Sequence, residues 1–273
     1  MNTNHLEKLE YNNILEKLSN YCTTEYGKNL VANLLPSNEK SKVTLLLQET
    51  SEAMNLSMRN SFPSFYDASD ITVSLKQLES GQSLNTKSLL NLANILKSAE
   101  ELKLYFDKDF ITSDSFSILS DLFNMLYSNN SISSKIFSCI LEEDVIDDRA
   151  SKELYSIRRK KKNLEQDIRT KLNTMIHSSS YSKYIQEPII TIRNERFVIP
   201  VKEEYRSSIK GLIHDVSNAG STVFIEPLSV FEMNNEIHEL INSENIEIER
   251  ILFELSQLFV PIISQLRDDV DII

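Results

Sequence analysis

Three side chains in the second half of the sequence, His214, Asp215 and Glu226, are of the types that hydrolases use for acid–base chemistry. Such a site needs a nucleophile beside an imidazole and a carboxylate that lie within hydrogen-bond reach of each other. Adjacent residues of a strand point to opposite faces, so His214 and Asp215 would not form a dyad. No Ser or Cys in a tight glycine-flanked turn accompanies them, and a structural role in the turn suits Asp215 better. We predict that the chain has no catalytic residues, and a hydrolase at these positions is kept only as an alternative to test.

The sequence also lacks the residue patterns that usually bind nucleotides or metals. The four glycines are scattered, and neither GxxxxGK[ST] nor GxGxxG occurs. Cys22 and Cys139 are isolated, without metal-ligand or CxxC spacing, which is typical of thiols in a reducing cytoplasm. We therefore predict no cofactor, no metal and no ATPase or nuclease activity for this chain.

The sequence predicts a cytoplasmic protein without membrane contact. Its opening residues, MNTNHLEKLE, are polar and contain no apolar stretch of the kind that a signal peptide needs. No apolar run approaches the roughly 18 residues that a membrane-spanning helix requires.

The charge is unevenly distributed along the chain. The net charge is −11, which by itself argues against a nucleic-acid partner. Residues 149–210, however, hold fifteen Lys and Arg against seven Asp and Glu and carry +8, whereas the remainder holds 14 basic and 33 acidic residues and carries −19. A basic segment on an acidic body suggests an anionic partner at one end.

Five consecutive basic residues form the densest part of this segment, and they are Arg158, Arg159, Lys160, Lys161 and Lys162. Five successive helical positions cover all sides of a helix, so some of these side chains face a partner helix and others face water. The segment 232–254 is rich in Glu, and pairing with it would use part of the cluster. Outward-facing members remain free to contact an anion.

A second set of basic residues lies in or beside predicted strands, namely Arg193, Arg196, Lys202, Arg206 and Lys210. Arg and Lys around a small sheet can hold phosphates without reading a base sequence, through a salt-dependent electrostatic attraction. Charges that protect a sheet edge from unwanted pairing explain the same residues equally well. The candidate nucleic-acid-binding residues are these five together with Arg158, Arg159, Lys160 and Lys162.

Two long helices are predicted on either side of these strands. The first, over 150–178, has an apolar seam with spacings of four and three, interrupted by Lys161; the second, over 229–258, offers a matching seam. Their apolar positions are Ala150, Leu154, Ile157, Leu164, Ile168, Leu172 and Met175 in the first helix and Ile237, Ile241, Ile248, Ile251, Leu255 and Leu258 in the second. The pattern favours an antiparallel pair with the strands at its far end.

Between the helices, Val/Ile/Thr/Phe alternation predicts strands over 189–193, 196–201, 209–216 and 221–226, arranged as an antiparallel meander. The turn Asn194-Glu195 joins the first two strands, although Glu adopts positive φ less readily than Gly. Residues 1–145 show apolar stripes of short amphipathic helices, including one over 70–80 stopped by Gly81, one capped by Asn85, and two over 113–127 and 131–143.

The run QEPIITIRNERFVIPVKEEYRSSIKGLIHDVSNAGSTVFIEPLSVFEMNNEIHEL resembles the signature region of the bacterial MutS-two branch of the MutS family. The likeness continues upstream through DRASKELYSIRRKKKNLEQDIRTKLN and, more weakly, to the opening LEYNNILEKLSNY. It implies a mainly α fold in which a helical core bears a two-helix lever with a small antiparallel β clamp at its tip. The implied divisions are a core over 1–145, a descending lever helix over 146–186, the clamp over 187–228 and an ascending lever helix over 229–273.

In that family an ATPase domain with dimerising phosphate loops follows the lever, and a nuclease domain comes later. The resemblance implies that this chain, which ends DDVDII, is the N-terminal part of a longer ATPase that is a homodimer and binds ATP and Mg in a part absent here. It implies DNA or the ribosome as partner, in recombination control, mismatch-repair-like DNA binding or rescue of stalled ribosomes. The alternative is a coiled-coil protein-interaction or structural module that binds no nucleic acid.

Overall fold

The computed structural model describes residues 6, 8–59, 71–108 and 116–273. Within these ranges the chain is mainly helical and carries two small antiparallel sheets, which confirms the predicted fold class at this level. It divides into two compact units, one formed by Met1–Asp147 with Leu252–Ile273 and the other by Asp148–Ile251. The finer division into core, lever and clamp stays a prediction.

Helices build almost all of the first unit. Their bounds are α1 Tyr11–Ser19, α2 Glu25–Ala32, α3 Lys40–Arg59, α4 Thr72–Glu79, α5 Thr86–Lys108, α6 Ser117–Met125 and α7 Asn130–Cys139, and the last helix of the unit spans Ile263–Ile272. The predicted helix over 70–80 is α4, and Gly81 follows it at φ +73°. Asn85 caps α5 as predicted, because its Oδ1 accepts from the Ser88 N–H at 2.9 Å.

The predicted helix over 131–143 extends too far. Helix α7 ends at Cys139, and the chain continues as a two-stranded hairpin of β1, Ile140–Glu142, and β2, Val145–Ile146. Strands of three and two residues are too short to show a period-2 pattern in the sequence. The chain reverses direction between them with Asp144 at φ +64°. Of the helix predicted over 113–127, residues 113–115 lie outside the described residues.

The second unit contains two long helices, α8 over Lys152–Ile176 and α9, which runs over Leu228–Gln257 and so continues into the first unit. Ser151 caps α8 by accepting from the Leu154 N–H at 2.9 Å. The buried residues of the predicted seam are Leu154, Ile157, Ile168, Leu172, Ile237, Ile251 and Leu255. The half-buried ones are Ala150, Leu164, Met175, Ile241 and Ile248. Leu258 is an exception: α9 ends one residue before it, and the neighbouring Phe259 is buried in its place.

Strands β3 Thr191–Arg193, β4 Arg196–Lys202, β5 Gly211–Val216 and β6 Thr222–Pro227 confirm the predicted β region. The predicted meander is wrong, since the antiparallel sheet has the order β3-β4-β6-β5. The 3₁₀ turn Glu203–Ser208 carries the chain from β4 to the far edge, so that β6 returns between β4 and β5. Burial follows this order, because β4 and β6 are mostly buried whereas β5 is largely exposed.

The sheet packs on α8 and α9 through one apolar core. Helix α8 contributes Ile168, Leu172 and Ile176 to this core, where they pack with residues of the strands and with two residues of α9. The remaining buried members are Ile185, Phe197, Ile199, Val201, Ile209, Val223, Ile225, Val230 and Ile237. The strands therefore lie against the C-terminal half of α8 and the N-terminal part of α9. This fixes the position of every basic residue in and around the sheet.

Candidate nucleic-acid interface

The five-residue basic run divides into paired and unpaired members. Arg158 donates from Nε to Glu244 Oε1 at 2.7 Å and from Nη1 to Asp148 Oδ1 at 2.6 Å, and Lys161 Nζ bonds the other oxygen of Glu244. The predicted pairing with the acidic helix is thus confirmed for Arg158 and Lys161. Lys161 interrupts the apolar seam because Glu244 lies opposite it.

Electrostatics of this pairing favour the charged carboxylate. Burial raises the pKa of Glu244, but the Lys161 ammonium and the Arg158 guanidinium outweigh that effect and leave the pKa below its usual value. The pKa of Arg158 is raised despite partial burial, owing to Asp148 and Glu244. One carboxylate therefore holds two of the five cations.

Arg159, Lys160 and Lys162 are exposed on α8, and the described parts of the chain offer none of them a hydrogen-bond or ion-pair partner. Arg158, Arg159 and Lys162 line a cavity of about 610 Å³ with Lys161, Tyr155, Asn163, Asp148 and Glu244. Four cations face two carboxylates there, and the Tyr155 side chain is 48% exposed. A wall with excess positive charge and an accessible aromatic ring can take a phosphate with its neighbouring base.

Arg196 belongs to a buried polar network in the sheet. Its Nη1 donates to Glu226 Oε1 at 2.8 Å and its Nη2 to Asn235 Oδ1 at 2.6 Å. Glu226 is 0% exposed and also accepts from Asn234 Nδ2 at 2.7 Å, while its Oε2 lies 2.6 Å from His214 Nε2. Asn234 in turn accepts from the Phe197 N–H at 3.1 Å and donates to the Phe197 carbonyl at 3.2 Å, which joins α9 to β4. Arg196 thus joins this strand to the same helix.

Arg193 and Arg206 have carboxylate partners of their own. The Arg193 guanidinium lies 3.1 Å from Asp215 Oδ2 and 4.3 Å from the Phe224 ring centre. Asn194, in the adjoining turn, donates to the His214 carbonyl at 3.1 Å, so the β3–β4 hairpin contacts β5 at the opposite edge of the sheet. Arg206 pairs with Glu203 at 3.1 Å on the surface.

Lys202 and Lys210 are the remaining basic candidates of the sheet. Lys202 ends β4 and is partly buried, whereas Lys210 is exposed just before β5. Neither has an ion-pair or hydrogen-bond partner for its ammonium among the described residues. Of the nine candidate residues, Arg159, Lys160, Lys162, Lys202 and Lys210 are therefore available to an outside anion.

Four cations of α8 are absent from the candidate set, and two of them, Arg169 and Lys171, lie towards the end of the helix that packs on the sheet. Arg169 lies 4.8 Å from the centre of the Phe197 ring, and Lys171 is exposed. The apolar seam of α8 places both outside its buried stripe, so helical spacing was a signal that could have found them.

His214 and Glu226 do meet, whereas His214 and Asp215 take different partners, Glu226 and Arg193. A register shift between Ile213 and Asp215 accompanies this divergence. The contacts of Glu226 are Arg196, Asn234 and His214, and no hydroxyl or thiol nucleophile is among them. The geometry is that of a structural network.

Within the described residues, no cluster of three or more His, Cys, Asp or Glu side chains has the arrangement of a metal site. In these same ranges no helix has the length and apolarity that crossing a bilayer requires.

Known proteins with one shared name are similar to the whole length of this chain. No protein-family model matches the chain. It is 44% identical over 273 residues to Endonuclease MutS2 of Acetivibrio thermocellus and 42% identical over 272 residues to that of Ruminiclostridium cellulolyticum. Endonuclease MutS2 of Clostridioides difficile is 37% identical over 273 residues. Each match covers 100% of this chain and 34% of the relative, so the chain spans about one third of the length of these proteins.

This mainly helical chain with a basic helix and a small basic sheet is thus similar in sequence to proteins of the MutS type. More narrowly, similarity along its whole length to about one third of the length of proteins that share one name confirms the resemblance to MutS2 proteins stated from the sequence.

Proposed function

We propose that this chain supplies the nucleic-acid-gripping part of a MutS-like ATPase. In this proposal α8 and α9 form a lever, the four-stranded sheet is the clamp at its tip, and the first unit is the core. The antiparallel contacts of α8 and α9 support the lever, because Ser151 bonds Glu247 whereas Arg158, further along α8, bonds the earlier residue Glu244 of α9.

The observation that carries the proposal is the set of exposed cations on one helix that have no partner among the described residues. Arg159, Lys160 and Lys162 stand beside a paired Arg158 and Lys161, so internal pairing does not account for the whole cluster. Cations that only support the fold are held by carboxylates; cations left free are available to a polyanion. Release of counterions from the polyanion would drive such binding.

Binding of the intact chain to duplex DNA, branched DNA and ribosomes, measured side by side over a salt series, tests the proposal. The double substitution Arg159→Gln and Lys162→Gln should weaken DNA binding for all sequences alike. It should flatten the log–log salt dependence by roughly two units, since about one counterion is released for each phosphate contact.

Lys135→Gln is the matched control, because Lys135 is exposed on α7 and carries the same charge. It should leave the salt dependence at the parent value. Equal binding by the parent and the double variant near physiological salt would contradict the assignment of these residues. The three targets compared also decide between DNA and the ribosome as natural partner.

The second candidate is a protein-interaction or structural module, and the ion pairs of the sheet favour it. Arg193, Arg196 and Arg206 all have carboxylate partners, so the sheet offers an outside polyanion fewer free charges than its sequence suggests. Under this alternative the parent chain binds neither DNA nor ribosomes at any salt concentration.

For the longer protein we propose an ATP-driven homodimer whose phosphate loops, Mg site and nuclease domain lie outside this chain. The relatives are named endonucleases, and this chain spans about a third of their length. We expect no ATP hydrolysis and no nuclease activity from it alone. Turnover that is abolished by His214→Ala would overturn that expectation and favour the hydrolase.

A further inference from the structure

A second cavity in the Asp148–Ile251 unit has one candidate residue, Lys210, in its lining and has not yet been assigned a ligand. Its volume is about 630 Å³, and it lies where the end of α8 approaches the start of β5 and of α9. Its lining consists of Lys171, Thr174, Met175, Ser178, Tyr181, Ser208, Lys210, Pro227, Leu228 and Ser229. Two ammonium groups and five hydroxyls line it, and no carboxylate does.

The hydroxyls of this cavity differ in what they can offer. Thr174 and Ser178 donate their hydrogens to the carbonyls of Thr170 and Met175, so towards the cavity they present acceptor lone pairs. Tyr181, Ser208 and Ser229 have no side-chain hydrogen-bond partner in the described structure. These three hydroxyls remain able to donate to a ligand.

The positions of the two lysines are fixed by the fold. Lys171 lies one residue before Leu172, which is buried in the core of the unit. The Lys210 carbonyl accepts from the Leu228 N–H at 3.1 Å, which ties the start of β5 to the first residue of α9. Neither ammonium has a partner among the described residues, so two positive charges face one cavity with no counterion from the chain.

We propose that this cavity, the Lys171–Lys210 pocket, binds the oxyanion of a phosphate group. Ammonium groups and hydroxyl donors that converge from three chain segments suit the several acceptor oxygens of a phosphate. The first turn of α9 adds N–H groups that lack an intrahelical acceptor. The phosphate belongs either to a nucleic-acid backbone or to a free phosphorylated compound.

In the backbone case the inference deepens the proposed function and rests on it. The pocket then contributes a phosphate contact that is separate from the one at Arg159 and Lys162, since no residue lines both cavities. A nucleic acid that reaches both cavities would be held at two positions of the same unit.

The test uses the intact chain with two ligands, inorganic phosphate and duplex DNA. Lys171→Gln with Lys210→Gln should abolish any rise in the thermal midpoint that inorganic phosphate gives to the parent, because a ligand stabilises only a state that binds it. The same variant should flatten the log–log salt dependence of DNA binding by roughly one unit. Lys171→Arg with Lys210→Arg keeps both charges and should retain both effects, and far-UV circular dichroism should show the parent fold for both variants.

The outcomes separate the two sources. Loss of the phosphate effect with an unchanged DNA salt dependence assigns the pocket to a free phosphorylated compound, and a flattened DNA dependence assigns it to the backbone. If the parent binds no DNA but the phosphate effect is lost in the glutamine variant, the proposed function fails and the pocket stands. If the glutamine variant matches the parent with both ligands, the pocket proposal is overturned, whatever happens at Arg159 and Lys162.

Discussion

Two faces of helix α8 carry the same residue types and have different surroundings. On the inner face, Arg158 and Lys161 share Glu244, whose side chain is only 12% exposed. On the outer face, Arg159, Lys160 and Lys162 are exposed without a partner in the described chain. The same run of five cations therefore contains residues that hold the fold and residues open to a ligand. Substitutions should separate the two groups by what they change, stability or binding.

The largest effect is expected where a carboxylate is fully buried. Glu226→Ala removes the partner of Arg196, Asn234 and His214, and leaves the partly buried guanidinium without its buried counter-charge. We expect a loss of about 3–5 kcal/mol in the free energy of unfolding, measured by urea denaturation. Glu226→Gln keeps one acceptor oxygen and should lose less. A loss below about 1 kcal/mol for the Ala variant would mean that the network does not hold β4 and α9 together.

A buried carboxylate that forms no ion pair within the described part of the chain should behave in the opposite way. Asp269, in the first unit, accepts from the Tyr127 N–H at 2.7 Å, but its second oxygen has no partner among the described residues. Burial raises the pKa of Asp269 to about 6. Since the folded state binds the proton more tightly than the unfolded state, stability falls as pH rises from about 4 to about 6.

Asp269→Asn should therefore stabilise the chain by about 1–3 kcal/mol at neutral pH. It should also remove this contribution to the pH dependence. Thermal midpoints measured from pH 4 to pH 8 check both effects. A variant that is less stable than the parent at pH 7 would show that the charged form is favoured where Asp269 lies.

The Glu244 pair should give a smaller effect because it is partly exposed. Glu244→Ala removes the carboxylate that Arg158 and Lys161 share, while Arg158 keeps Asp148. We expect a loss of about 1–2 kcal/mol, between the values for exposed and for buried pairs. Because the pKa of Glu244 is lowered in the folded state, its contribution is present at neutral pH and is lost as pH falls through that lowered value. The difference between parent and variant should shrink in acid; a constant difference would point to lost packing.

The smallest stability effect is expected on the outer face. Arg159→Gln with Lys162→Gln should change the free energy of unfolding by no more than about 0.5 kcal/mol, because exposed side chains without partners contribute little. Its effect belongs in the binding measurement instead. If this variant unfolds as readily as Glu244→Ala, the two faces of α8 are equivalent and the contrast between them fails.

Local sequence predicted the elements of the second unit well because each depends on near neighbours. The four-and-three spacing predicted helices over 150–178 and 229–258, and α8 and α9 cover Lys152–Ile176 and Leu228–Gln257. The hairpin turn was also located correctly, and both Asn194 and Glu195 have the positive φ, +49° and +61°, of a type I′ turn. Glu195 accepts this conformation although Gly is the usual residue there.

Contacts between residues far apart in the chain could not be predicted from the sequence. The order β3-β4-β6-β5 depends on how the 3₁₀ turn crosses the sheet, and no strand pattern encodes that crossing. Gly211 illustrates the consequence, because a Cβ there would lie 2.2 Å from the Glu226 carbonyl oxygen, and only the pairing of β5 with β6 brings the two together. In the first unit, Glu52 accepts from the N–H groups of Ile118 and Leu119 at 3.1 Å each, so a residue of α3 caps α6.

By itself the sequence determined most of the helices, the place of the sheet, the charge asymmetry and the resemblance to MutS2 proteins. Tertiary structure alone decided which cations are free. Arg158 and Glu244 are 86 positions apart in the sequence, and Arg196 and Glu226 are 30 positions apart. A charge is neutralised only by groups that folding brings within a few ångströms of it. Lys171 and Lys210 likewise come to line one cavity only after the sheet has packed on the end of α8.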